Sequence, residues 1–188
     1  MEYLDIVDES GNPTGDVIER SIAHAQGILH RTSHVWLFRH HYGKLEVLLQ
    51  KRSKNKDSFP GCYDISSAGH IPAGVDFVTS ALRELKEELG IVASAEELHL
   101  CGQRRIRYEE IFYGKRFEDN QVSNVYMIFV DQEAKDFVLQ VSELEEVIWI
   151  GFMECVERVR QNTIKHCIME EELEILEKAL LEFSHSES

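Results

Sequence analysis

Glu84, Glu87 and Glu88 crowd three carboxylates into one short stretch of chain, and that crowding is the first sign of chemistry. Glu84 and Glu88 form an i,i+4 like-charge pair, which costs an isolated helix about 0.2–0.5 kcal/mol. A hard divalent cation offsets the repulsion, because Mg²⁺ takes oxygen ligands and keeps positions open for water and phosphate. The flanking residues predict a helix that carries these groups. At about 100° per residue, Val78, Leu82, Leu85 and Leu89 share an arc of ~60° and form a buried stripe. The three glutamates share an arc of ~100° on the opposite side. Asp76 is the expected N-cap, and Gly90 the left-handed residue that ends the helix before Ile91. Arg83 is spaced to pair with Glu87 and cannot neutralise all three acids.

A second acidic run, Glu170, Glu171, Glu172, Glu174 and Glu177, lies on an expected C-terminal helix and reads as a solvated face. The stretch from Gly69 to Ile91 has wider spacing. It resembles the signature of the Nudix hydrolases, G-x5-E-x7-R-E-U-x-E-E-x-G-U, with U a bulky apolar residue. Gly69, Arg83, Glu84, Leu85, Glu87, Glu88, Gly90 and Ile91 match. The departure is Val75, where the family has Glu, with Asp76 beside it. Chance yields so many matches in roughly fewer than one window in a million.

The resemblance implies an α/β Nudix fold, an α/β/α sandwich around a mixed sheet. It also implies attack of water at phosphorus, on a nucleoside diphosphate linked to another moiety. Glu84, Glu87 and Glu88 are then ligands of Mg²⁺, or of Mn²⁺ in its place. Glu84 and Glu87 are catalytic, and Arg83 orients nearby carboxylates, although its usual Glu partner is replaced by Val75. Gly69 lets the loop bend close to the helix. Glu84 is the general-base candidate inside the box; Glu118, Asp119, Glu145 and Glu146 are candidates outside it, each expected to be solvated. Arg52, near a strand end, either contacts substrate phosphate or serves surface solubility.

The elements that must position these groups follow from patterning. Residues 2–7 and 15–19 form an expected N-terminal β-hairpin around the turn Asp8–Pro13, which precedes the central fold and is a candidate dimer or substrate contact. A helical turn is expected over 21–26. Strands are expected over 35–38, 45–52, 62–66, 98–113, 122–130 and 147–150, and helices over 152–160 and 170–183. No linker or repeat divides the 188 residues, so one domain is expected, with residues 1–30 as an extension and 69–91 as the box. The charge of −14 argues against a nucleic-acid polymer as partner. Local basic clusters, Lys51–Lys56 and Arg104, Arg105 and Arg107, suit a small polyphosphate or a solvated edge. Cys62, Cys101, Cys155 and Cys167 lack metal or disulfide spacing, and no apolar run is long enough for a membrane span. A reduced, cytoplasmic protein is the expectation.

The N-terminal half is also similar to isopentenyl-diphosphate isomerase, a Nudix-fold enzyme. The similarity rests on Asp8–Gly15, Ala23-His24, His30, Trp36-Leu37-Phe38, Pro60-Gly61 and Gly69-His70. It implies metal-binding histidines at His24, His30 and His70, with the first spacing one residue short; the other reading of these histidines is structural. The isomerase shuttles protons between a cysteine and a glutamate. Here Ala68 stands at the cysteine position, and the expected acidic pair falls on Asp119 and Gln121. A methyl group cannot protonate an alkene, and a neutral amide cannot replace a carboxylic acid. The resemblances together imply an isomerase-like branch of Nudix hydrolases, with the isomerase as the alternative enzyme. A nucleotide-sensing module is the non-enzyme alternative, and it predicts ligand-induced stabilisation without phosphate release.

Overall fold

The computed structural model describes residues 1–56 and 58–186. It opens with an antiparallel hairpin, β1 (Tyr3–Val7) and β2 (Pro13–Glu19), followed by a short helix, α1 (Arg20–Gln26). A seven-stranded sheet comes next. Its strands are β3 (His30–His41), β4 (Lys44–Arg52), β5 (Tyr63–Asp64), β6 (Ser67–His70), β7 (His99–Phe112), β8 (Lys115–Phe129) and β9 (Leu144–Gly151). The order is β5-β4-β3-β8-β7, with β6 beside β3 and β9 beside β4. β3 and β8 run parallel and the other pairs antiparallel, so the sheet is mixed.

The alternation of side chains along β3 splits the core into two layers. Val35 and Leu37 pack with Leu85 and Leu89 of α2 (Phe77–Leu89). Trp36 and Phe38 pack on the other face with Val156 of α3 (Phe152–Arg160) and Leu173 of α4 (Glu170–Ser186). This is the expected α/β/α sandwich. Helix α2 begins and ends where its residues dictate: Asp76 Oδ1 accepts from the Thr79 N–H at 2.8 Å, and Gly90 has φ +71°.

Several strands exceed their apolar runs. β3 extends back from Val35 to His30 because the parallel ladder with β8 buries polar residues there, Thr32 and Ser33 among them. Of the expected strand over 62–66 only Tyr63–Asp64 pairs, as β5, and the chain re-enters the sheet at Ser67 as β6. Ser66 marks the break, donating to Leu48 O at 2.7 Å and accepting from Leu37 N–H at 2.8 Å.

Candidate active site

Strand β6 shows its two sides to two different sets of ligating groups. On the α2 side, Ser67 Oγ donates to Glu88 Oε2 at 2.7 Å. Glu88 is only 5% exposed, which corrects the expectation of an outward-facing carboxylate. Three residues from Leu85, it lies about 60° from the buried stripe, close enough for β6 to cover it. Burial pushes its carboxyl up to about 8, against the opposing Ser67 hydrogen bond. Gly69 lies against Glu84, and a Cβ there would overlap the Glu84 carboxyl carbon. Burial also raises the Glu84 carboxyl, while its bond from Arg83 Nη2 works the other way. Arg83 donates to the His70 carbonyl at 3.3 Å, and its Nε lies 3.9 Å from Glu87 Oε2. Its partners are thus Glu84, Glu87 and backbone, with Nε buried and lacking a hydrogen bond, while the Val75 carbonyl accepts from Arg31 at 2.9 Å.

Gly69→Ala must move either Glu84 or β6. The expected cost is about 1–3 kcal/mol, measured by denaturant unfolding, and an unchanged midpoint would show that the close approach carries no strain.

On its other side β6 presents Ala68 to the second core layer and His70 to a histidine cluster. One ligand atom from each of His24, His30 and His70 lies within 4.8 Å of the others, and His24 Nε2 is 3.0 Å from His70 Nε2. Asp119 Oδ1 is 3.7 Å from both His24 Nδ1 and His30 Nε2. Burial holds His24 down at about 3 and lowers His30 and His70, so the rings are neutral. His30 Nδ1 is engaged by the Ile28 carbonyl at 2.8 Å, which leaves the Nε2 lone pair free. Among the described residues, His24 Nδ1 and His30 Nε2 are buried without a hydrogen-bond partner. These histidines are therefore gathered as metal ligands would be. The carboxylates of Glu84, Glu87 and Glu88 point to different partners and do not form a comparably tight group.

A cavity of about 990 Å³ opens on the histidine side of the sheet. Arg52 and Lys56 reach it from one wall, and Phe59, Tyr108 and Phe112 from another. Arg52 is not a freely solvated charge: it binds Asp64 at 2.9 Å and the Ser58 carbonyl at 3.0 Å. Lys56 pairs with Glu143. Of the outside carboxylates, Glu145 is exposed and Glu146 partly so, the latter accepting from Tyr63 Oη at 2.9 Å. Glu118 and Asp119 correct the expectation of solvation, since both are buried. Glu118 is covered by Arg107 at 3.0 Å and Arg116 at 2.8 Å, and Asp119 by the histidines.

The C-terminal acidic run needs a correction as well. Glu172 is 2% exposed and accepts from Arg104 Nη1 at 2.6 Å and Trp36 Nε1 at 2.8 Å, with His34 Nδ1 at 2.9 Å. Its sequence neighbours Glu170, Glu171 and Glu174 are acidic, but Leu173 and Leu176 turn this edge of α4 inward. Arg104 therefore belongs to the interior and not to a solvated basic edge. The period-two series His30, Thr32, His34, Trp36 carried the signal for His34, because it places that ring on the face of the metal-type histidines.

A family model described as the NUDIX domain matches residues 29–171. Nudix hydrolase 3 of Arabidopsis thaliana is 37% identical over 158 residues, covering 81% of this chain and 20% of that protein. The chain thus spans about a fifth of that relative's length. A Nudix hydrolase of Clostridium acetobutylicum is 36% identical over 149 residues, covering 79% of this chain and 69% of that one. A crystal structure from Deinococcus radiodurans shares the fold with a TM-score of 0.67 at 18% identity, over 92% of this chain and 98% of that chain. The NUDIX domain of Shewanella oneidensis NrtR, solved with ADP ribose, gives 0.58 at 18% identity, over 88% and 94%. Among the described residues no helix is long and apolar enough to cross a membrane.

Proposed function

Because this chain belongs to the Nudix domain family, hydrolases that act on pyrophosphate bonds, we propose that it cleaves the P–O–P bridge of a nucleoside diphosphate-linked small molecule with Mg²⁺. The observation that carries this reading is the apposition of Gly69 and Glu84, which sets the α2 carboxylates against the backbone of a strand lining the cavity. Glu84, Glu87 and Glu88 would hold the ion. An all-carboxylate oxygen set suits Mg²⁺ or Mn²⁺. Glu88 also fits, being a buried acid whose hydrogen-bond partners, the Ser67 hydroxyl and the Ala68 backbone, are neutral. When bound, the ion neutralises charge at phosphorus and acidifies a ligated water. Arg83 steadies Glu84 against β6. Arg52, pre-oriented by Asp64 and Ser58, and Lys56 offer donors for phosphate oxygens on the cavity wall.

His24, His30 and His70, with Asp119, fit a second divalent ion, because two buried ring nitrogens there lack partners and a carboxylate stands beside them. On this reading the chain sits in an isomerase-like branch that hydrolyses diphosphates. Ala68 lies at the cavity and Gln121 donates its amide to Asp119 at 2.5 Å, so neither position supplies the isomerase's acid. If these histidines hold an ion, Mn²⁺ raises the melting temperature of the metal-free wild type, and His30→Ala removes at least part of that rise.

The deciding assay is a panel of nucleoside di- and triphosphates, nucleotide sugars, dinucleotide cofactors and coenzyme A with Mg²⁺ or Mn²⁺. Glu87→Gln is the control. Its side chain is 54% exposed, so the variant should fold normally and lose about 100-fold or more in kcat. Equal rates for the variant and the wild type would sink the site assignment. Ligand-induced stabilisation with no phosphate release across the panel would favour the sensing module.

A further inference from the structure

Four aromatic rings on the cavity wall, Phe59, Tyr108, Phe112 and Phe117, have no part in the chemistry described above. Alternation along β7 puts Tyr108 and Phe112 on the face that carries Ile106, and β8 adds Phe117 beside them. Two of the rings are already committed. The Tyr108 hydroxyl faces Asp119, and Phe117 stacks on His24 with 4.4 Å between centroids. Phe59 and Phe112 are not. They meet edge-on at 5.0 Å, and among the described residues every ring against either is tilted or edge-on, so none stacks flat on its face. Both stay half-buried. Phe59 also holds φ +47°, a backbone state that a bulky residue rarely adopts.

These two rings stand beside the candidate phosphate donors. Arg52 Nη2 donates at 3.0 Å to the carbonyl of Ser58, the residue before Phe59. The hydroxyl of Tyr113, the residue after Phe112, donates to the Lys56 carbonyl at 3.3 Å. Arg52 and Lys56 both act electrostatically on Glu88, so this corner of the cavity lies within electrostatic reach of the α2 carboxylates. A diphosphate held there directs its organic arm along Phe59 and Phe112.

We propose that Phe59 and Phe112 bind the nucleobase of the substrate by its face, and that the cavity reads no base edge, so purine and pyrimidine diphosphates are accepted alike. The proposal rests on the nucleoside diphosphate reading of the same cavity. Stacking is tolerant because every base has a π-face. Edge readout needs buried donors and acceptors that are free to pair, and here the uncharged ones are taken. Thr32 donates to Gln121 Oε1 at 3.0 Å, Gln121 donates to Asp119 at 2.5 Å, and Ser58 Oγ accepts from Arg52 at 3.1 Å. Arg104 Nε has no partner but is buried out of reach of a ligand. Ser21, Asn55 and Ser142 are exposed, where a bond to a base replaces a bond to water. Half-buried rings suit a base for the same reason, since its face is covered while its edge stays hydrated. An aliphatic arm there would keep part of its apolar surface wet. A satellite core tying the β7–β8 hairpin to the Lys56 loop would account for the contacts among the rings. It leaves unexplained two partly exposed rings beside cationic donors on a cavity wall, one of them on strained backbone.

The test uses the full chain with ADP, GDP, CDP, UDP and isopentenyl diphosphate as probes in Mg²⁺. Binding is measured on Glu87→Gln, to slow turnover, by NMR with ¹³C-labelled phenylalanine. The four nucleotides should bind within about 10-fold of one another, and isopentenyl diphosphate about 10-fold or more weaker than each. Base protons should shift upfield and show NOEs to the Phe59 and Phe112 rings. Adding Phe59→Leu or Phe112→Leu, which keeps apolar bulk and removes the π-face, should raise each nucleotide Kd about 10-fold or more. A wider spread among the bases, isopentenyl diphosphate binding as tightly as ADP, or no binding of any nucleotide would overturn the proposal. So would missing NOEs, or an unchanged Kd in a folded leucine variant. If the leucine variants fail to fold, the probe ranking and the NOEs, measured with both rings intact, decide alone. A wild type that stacks the bases in this way and hydrolyses nothing in the panel would remove the hydrolase reading and leave the base site standing.

Discussion

Glu172→Ala should melt about 6–20 °C below the wild type. Removing one member of a buried charged group costs about 3–5 kcal/mol, because the partners stay behind without compensation. In a chain of this size each kcal/mol moves the midpoint by about 2–4 °C. Here the abandoned groups are Arg104, whose side chain is 8% exposed, the fully buried Trp36 indole N–H and the His34 ring. The pH dependence has a definite sign. Glu172 titrates at about 2 in the fold against an ordinary 4.5, so the unfolded chain takes up the proton first. Its contribution is complete above 4.5 and fades as pH falls toward 2. Thermal melts from pH 2 to 7 should show an acid-side loss of stability that Glu172→Ala reduces. A midpoint within 2 °C of wild type at neutral pH would mean the group is solvated after all.

Glu88→Gln should do the opposite to stability while destroying activity. Glu88 is buried beside a hydroxyl and a backbone N–H, and burial lifts its carboxyl to about 8. An amide of the same shape can still accept from Ser67 Oγ and carries no charge to desolvate. At neutral pH a carboxyl lifted this far must take up a proton when the chain folds, a cost that a neutral amide does not carry, so the metal-free variant should melt about 2–12 °C higher. The same change removes an anionic oxygen ligand, and kcat with Mg²⁺ should fall by about 100-fold or more. Melting of the metal-free protein and turnover with Mg²⁺ are separate measurements. A variant that melts lower and keeps its kcat would show that Glu88 is structural. Opposed effects on stability and activity are the mark of a charge retained for function.

Local patterns in the chain were enough for helix α2 and for the family. The Asp76 cap, the Gly90 terminator and the Leu85 and Leu89 stripe act over one or two turns, so periodicity and capping chemistry reveal them directly. The box residues are contiguous for the same reason. Resemblance also carried the three histidines, although their convergence needed α1, β3 and β6 to meet.

What a polar residue faces is a different kind of fact. A charge run reads as solvated until some other side chain covers it, and most of the covering side chains here come from a different element. Ser67 reaches Glu88 from β6, Arg104 reaches Glu172 from β7, and Arg107 and Arg116 close over Glu118. His34 acquires its carboxylate partner from α4, more than a hundred residues on. Helical and strand periods say which residues share a face; only the packing of that face against the rest of the chain decides whether it meets water, a counter-charge or a substrate cavity.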